Sequence, residues 1–113
     1  MENEQKSPVI SFDVRVKPGR AGTDPEAPAR RQVTRPAHLA GLEANVAAGR
    51  LVFGGPIFNE AQQPIGSFLL ADCASRAELD AIIANDPYTK SNVWQRVEVK
   101  PVRLVVQDGR ITP

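Results

Sequence analysis

The chain has 113 residues, 42% of them hydrophobic and 24% charged, a composition that suits one folded domain and excludes a disordered polypeptide. Its 14 basic and 13 acidic residues leave a formal net charge of +1, so the dense cationic surface that nucleic acid requires is absent and no nucleic-acid partner is expected. One cysteine excludes an intrachain disulfide and a cysteine-based zinc centre, and with one histidine and no phosphate-cradling glycine motif neither metal nor organic cofactor is expected.

Taken in chain order, Met1 to Ser7 is polar and lacks the apolar run of a secretion signal. No apolar stretch approaches the roughly 18 residues that span a bilayer. The expected location is the cytoplasm, with no membrane partner. From Ile10 the chain alternates: Ile10, Phe12, Val14 and Val16 point one way, and Ser11, Asp13 and Arg15 the other. That period of two predicts a strand with one buried face.

Lys17 to Ala29 holds Pro18, Gly19, Gly22, Pro25 and Pro28 and reads as a loop, either a flap or a tolerated insertion. Arg30 to Gly49 reads as a helix, with Pro36 near its first turn or at a break. Leu39, Leu42 and Val46 form its apolar stripe, and Gly49 its stop. His38, four residues before Leu42, falls at the edge of that stripe. Arg30, Arg31 and Arg35 read as a solvated helix face, with an anion site as the alternative.

Arg50 to Pro56 predicts a second strand ending in the pair Gly54-Gly55, and Ile65 to Cys73 a third, joined by the polar segment 59–64 as an antiparallel hairpin. Cys73 reads as a small apolar filler. Ser75 with Glu78 makes a capping-box pattern for a second helix, which Asp86-Pro87 stops. Val93 to Val106 predicts the last strand, with Pro101 marking an edge position or a bulge, and Asp108 to Pro113 a frayed tail. The order β-α-β-β-α-β is the ferredoxin-like α+β plan, an antiparallel sheet with two helices on one face. It fits one domain over 1–113 with a core of about 9–106. Chains this short bury roughly 65% of their unfolded surface, so the half-apolar open face of the sheet predicts a twofold homodimer.

Four fragments together resemble the YCII (YciI-like) family of the dimeric α+β barrel group. They are Arg35-Pro36-Ala37-His38-Leu39; Gly49-Arg50-Leu51 leading to Gly55-Pro56; Pro64-Ile65-Gly66-Ser67; and Asp86-Pro87-Tyr88 with Val93 following. The resemblance runs from about Arg30 to Val106. It implies a dimeric α+β barrel, a His–Asp pair at His38 and Asp86, and a small pocket that Ser67 and the Gly55-Pro56 turn also line. One group in the family removes chloride from a chlorinated hydroxyhydroquinone, and the wider superfamily includes cofactor-free isomerases and monooxygenases. Fold analogy does not choose among these.

The residues support an argument of their own. In this plan both helices pack on one face, so His38 and Asp86 can converge. An aspartate on one ring nitrogen fixes the tautomer and leaves the other nitrogen to accept a proton. The plainer readings are a satisfied structural histidine and an Asp-Pro helix stop. Gly54-Gly55-Pro56 is either a bend or a close approach of backbone N–H groups to a substrate oxyanion. Ser67 either donates to that oxygen or is satisfied within the hairpin, and nothing resembles the elbow that a Ser67 nucleophile would need. Tyr88 and Trp94 form either an aromatic pocket wall or packing.

The expected site is therefore His38 and Asp86 as catalytic residues, with Arg35, Gly55, Pro56, Ser67 and Tyr88 binding substrate and no metal. The expected function is cofactor-free acid–base catalysis, a lyase or isomerase, dehydrochlorinase-like in one form, on a small hydroxylated aromatic or lactone. The alternatives are a non-catalytic dimer that binds a small metabolite and a structural dimer without a ligand.

Overall fold

The computed structural model describes residues 10–17 and 26–113. The expected flap falls largely on 18–25 and lies outside the described residues. Strand β1, Ile10–Lys17, alternates as its sequence requires, with Phe12, Val14 and Val16 buried. Helix α1 runs Ala27–Ala47, starting earlier than expected because Pro28 falls in its first turn, where no N–H is needed. Pro36 consequently lies inside a continuous helix rather than at its start or at a break. The donor it lacks would have bonded the Gln32 carbonyl, and both residues are exposed, so water can serve that carbonyl.

The helix ends where expected. Gly49 takes a φ of +77°, its N–H bonds the Val46 carbonyl, and the Arg50 N–H reaches back to the Asn45 carbonyl at 2.9 Å. This is a Schellman stop, and the left-handed φ is why glycine stands there.

Strand β2, Leu51–Phe58, extends beyond the glycine pair, and β3, Pro64–Cys73, returns beside it. Gly55 and Pro56 are thus strand residues, registered with Phe68 and Ser67, and not a turn. Strand β2 is a sheet edge, where a proline without an N–H does not break the ladder. Helix α2, Arg76–Asn85, is capped by Ser75 Oγ, which accepts the Glu78 N–H at 3.1 Å, while Glu78 Oε1 accepts the Ala74 N–H at 3.0 Å. Asp86 then closes α2 and opens the single turn α3, Pro87–Lys90.

The last long strand is shorter than expected. Val93 and Trp94 are tied by their N–H groups to the Tyr88 carbonyl at 2.8 and 3.0 Å, so β4 begins only at Arg96 and runs to Val102. The expected frayed tail is instead a small hairpin of β5, Val106–Gln107, and β6, Arg110–Ile111. Asp108 and Gly109 take φ of 51° and 73°, the backbone of a type I′ turn, which an Asp-Gly pair favours.

The four long strands form one antiparallel sheet in the order β2-β3-β1-β4, the ferredoxin-like α+β arrangement. One face carries Phe12, Val14, Leu69, Ala71 and Cys73 into a single core with Leu79, Ile83, Tyr88, Val93 and Trp94. Register puts Asp13, Arg15, Phe68, Leu70, Ile57, Glu98 and Lys100 on the opposite face, which no helix among the described residues covers. Nowhere among the described residues is a helix long and apolar enough to cross a membrane.

Candidate active site

Helix α1 does not lie flat on the sheet. Of its residues only His38 is buried, Leu42 is partly so, and Leu39 and Val46 are 43% and 57% exposed. The expected apolar stripe therefore does not fill the core. It forms one wall of a cavity of about 340 Å³ between α1 and strands β2 and β3. A dry cavity of roughly 150 Å³ accepts a benzene ring, so this volume suits a substituted single ring.

His38 stands at the inner end of that space and is 8% exposed, deeper than the stripe-edge position expected of it. Its Nδ1 lies 2.7 Å from Oδ1 of Asp86, which is equally buried and comes from 48 residues further along the chain. The same Oδ1 accepts the Tyr88 N–H at 2.8 Å, because Asp86 is the N-cap of α3. Asp86 precedes Pro87, which holds its backbone extended (ψ 134°) and lets the side chain fold back over the turn. A carboxylate only accepts, so Nδ1 is the donor to an ionised Asp86.

Aromatic rings fix the imidazole on its other sides. The Tyr88 ring stacks on it with centroids 3.8 Å apart and planes 9° from parallel. Trp94 meets it edge-on at 5.3 Å and Tyr88 at 5.6 Å. Both residues are core and cavity wall at once. Burial pushes the Tyr88 phenol up, and the neighbouring Arg31 and Arg35 guanidiniums pull it partly back.

Of the residues singled out from the sequence, His38, Arg35, Gly55, Pro56, Ser67 and Tyr88 all border the cavity. Asp86 does not; it backs His38 from the side of α3. Because Gly54 and Gly55 lie within a strand, their N–H groups lie in the plane of the sheet rather than toward the space above it. The expected backbone oxyanion donors are not presented there, and the Ser67 hydroxyl is the neutral donor that this wall offers. Gly54 serves packing: a Cβ on it would come within 2.7 Å of Leu69 Cδ2.

The sequence puts Arg31 on a solvated face, yet it is half-buried and borders the cavity with Arg35. A signal for it exists in the spacing, since Arg31, Arg35, His38 and Leu42 fall at i, i+4, i+7 and i+11 and share one face. Among the described residues no group of three or more His, Cys, Asp or Glu gathers as metal ligands do.

Comparison with known proteins identifies the family. The YCII-related domain family matches residues 19–103. The protein YciI of Escherichia coli O6:H1 is 34% identical over 82 residues, covering 67% of this chain and 84% of that one. A benzaldehyde-derivative biosynthesis cluster protein C of Emericella nidulans is 37% identical over 75 residues, covering 59% and 76%. The solved structure of the 5-chloro-2-hydroxyhydroquinone dehydrochlorinase TftG of Burkholderia phenoliruptrix, in complex with 2,5-dihydroxybenzoquinone, superposes with a TM-score of 0.67 at 28% identity. That match covers 82% of this chain and 93% of TftG. With three quarters of its length inside the family's boundaries and an architecture shared with a solved member, the chain belongs to the YCII-related family.

Proposed function

We propose that the protein is a cofactor-free acid–base enzyme, a lyase or isomerase that acts on a small hydroxylated ring, with His38 moving the proton. The observation that carries this is the buried 2.7 Å bond between His38 Nδ1 and Asp86 Oδ1 at the wall of a ring-sized cavity. In this reading Nε2 takes a proton from a ring hydroxyl or an acidic ring carbon, and Asp86 steadies the imidazolium that forms. Ser67 donates to the oxygen on which negative charge develops, and Arg35 with Tyr88 positions the ring. The leading candidate reaction is dehydrochlorination of a chlorinated hydroxyhydroquinone: one proton and one chloride leave, and no oxidant or reductant is consumed. The likeness to TftG, at 28% identity across most of both chains, supports that choice.

The protein works as a homodimer in this reading. Ile57, Phe68 and Leu70 sit on the open sheet face beside Asp13, Arg15, Glu98 and Lys100. A face with an apolar patch and charges of both signs can meet itself about a twofold axis. Two such sheets face to face make the dimeric α+β barrel. Its place of work is the cytoplasm, where the lone buried thiol of Cys73 stays reduced.

A second reading, a dimer that binds a metabolite without turning it over, draws on the capping duty of Asp86, which gives the pair a structural reason to exist. Chloride release and absorbance changes with a panel of chlorinated and hydroxylated aromatics separate the two. Turnover lost by a factor of about 10²–10⁴ in His38→Ala, in protein that still binds the ring, supports the enzyme. Binding without turnover across the panel supports the binder.

A further inference from the structure

We propose that the cavity selects a monocyclic anion, a ring bearing a carboxylate or an ionised hydroxyquinone oxygen, and that Arg31 and Arg35 hold its charge. This deepens the ligand-site reading given above and rests on it. The two arginines stand one turn apart on α1 and both border the cavity. Among the described residues no ion pair engages either of them and no carboxylate borders the cavity. Like charges at this spacing repel each other along a helix, and an anion between them relieves that repulsion. The Arg31 guanidinium is already steered, lying 6.0 Å from the Tyr88 ring centroid.

A second observation points to a ligand that accepts hydrogen bonds. Tyr88 and Trp94 are 2% and 6% exposed, and neither Tyr88 Oη nor Trp94 Nε1 has a partner among the described residues. An indole N–H can only donate, so whatever completes it must bring an acceptor. Leu42, Leu51 and Leu69 make the rest of the wall apolar, which suits a ring and disfavours a small hydrated ion such as phosphate.

The test is calorimetric titration of the full chain with two matched pairs of probes. One pair is 2,5-dihydroxybenzoquinone, ionised at neutral pH, against 2,5-dimethoxybenzoquinone; the other is 2,5-dihydroxybenzoate against its methyl ester. Each anion should bind about tenfold or more tightly than its neutral partner, given what a charge-assisted hydrogen bond contributes. The preference should shrink at high salt. It should vanish in Arg31→Gln/Arg35→Gln and persist in part in Arg31→Lys/Arg35→Lys, with melting curves showing both variants folded.

Equal affinity for anion and ester, a preference that survives loss of both arginines, or no saturable binding of either anion at millimolar concentration would each overturn the proposal. The outcome is separable from the catalytic reading. An anion-selective pocket in a protein that turns nothing over leaves this inference standing, and turnover of neutral rings alone does the reverse.

Discussion

Asp86 Oδ1 serves two masters: it lies 2.7 Å from Nδ1 of His38 and accepts the Tyr88 N–H at 2.8 Å. One oxygen therefore orients the imidazole and starts the turn whose second residue stacks on that imidazole. The geometry of the pair and the local fold of residues 86–94 are consequently one construction, and substitutions at position 86 separate its two duties.

Asp86→Asn keeps an acceptor oxygen for the Tyr88 N–H but removes the charge that steadies a protonated His38. It should melt within a few degrees of the wild type, yet lose most turnover in the assays proposed above. Asp86→Ala removes the cap as well, a loss typically of about 0.5–2 kcal/mol, and leaves a buried imidazole N–H unpartnered for roughly 1–3 kcal/mol more. Thermal melting of the two variants side by side checks this. Equal melting points for Asn and Ala would show that the cap is immaterial.

Glycines in the sheet should divide by what a methyl group would strike. A Cβ on Gly66 would meet the Val16 carbonyl oxygen at 2.5 Å, backbone that cannot swing aside, whereas one on Gly55 meets Phe68 Cε1 at an ordinary 3.7 Å. Gly66→Ala should therefore destabilise by about 1–3 kcal/mol, and Gly55→Ala by much less, since its Cβ lies beside Phe68 on the open sheet face. Denaturant titration of both variants tests the division. Similar costs at the two positions would contradict it.

Alkaline stability should carry the mark of Cys73. Burial first, then the nearby Glu78 carboxylate, pushes its thiol up to about 11 from 9.0. Below about pH 9 the thiol is protonated in both folded and unfolded chains and contributes no pH dependence. As pH rises from about 9 toward 11 the unfolded chain gives up its proton while the folded chain holds it, so stability falls across that window. The raised phenol of Tyr88 acts in the same direction. Cys73→Ala should lessen the fall, and the native thiol should react sluggishly with disulfide reagents at neutral pH. An unchanged slope in Cys73→Ala would contradict this account.

Much of this architecture is legible in the sequence. Alternation in Ile10 to Val16, the Ser75–Glu78 cap and the Gly49 stop are local rules, and the structure follows them. Through the family's fragments the sequence also places His38, Ser67, Gly55 and Pro56 about one pocket, and all four border the cavity. Sequence reasoning went astray where tertiary structure overrides a local signal. The glycine pair reads as a bend, yet an edge strand tolerates Gly-Pro without turning. Leu39 and Val46 read as core, yet a helix held off its sheet by a cavity leaves them on the rim. Arg31 reads as solvated because nothing local shows that its face looks onto a cavity. Asp108-Gly109 is a local turn signal, and the segment that reads as a frayed tail folds around it as a hairpin.

The proposed dimer makes Phe68 a sensitive position. It is 37% exposed and sits on the open sheet face, level with Gly55 and Arg15. Sedimentation at micromolar concentration should give about twice the chain mass for the wild type and a monomer for Phe68→Glu, with the far-ultraviolet spectrum retained. A wild-type monomer under those conditions would remove the dimer from the account.

The central claim, that His38 presents a basic Nε2 to a ligand in the cavity, has one direct test, because the chain holds a single histidine. In uniformly ¹⁵N-labelled protein every imidazole nitrogen signal belongs to His38. Long-range proton–nitrogen spectra at neutral pH should show Nδ1 protonated and Nε2 bare, a pattern weakened in Asp86→Asn. Adding 2,5-dihydroxybenzoquinone should move the Nε2 signal far more than that of Nδ1. A proton resident on Nε2 with Nδ1 bare, or an imidazole that ignores a ligand shown to bind, would contradict the claim.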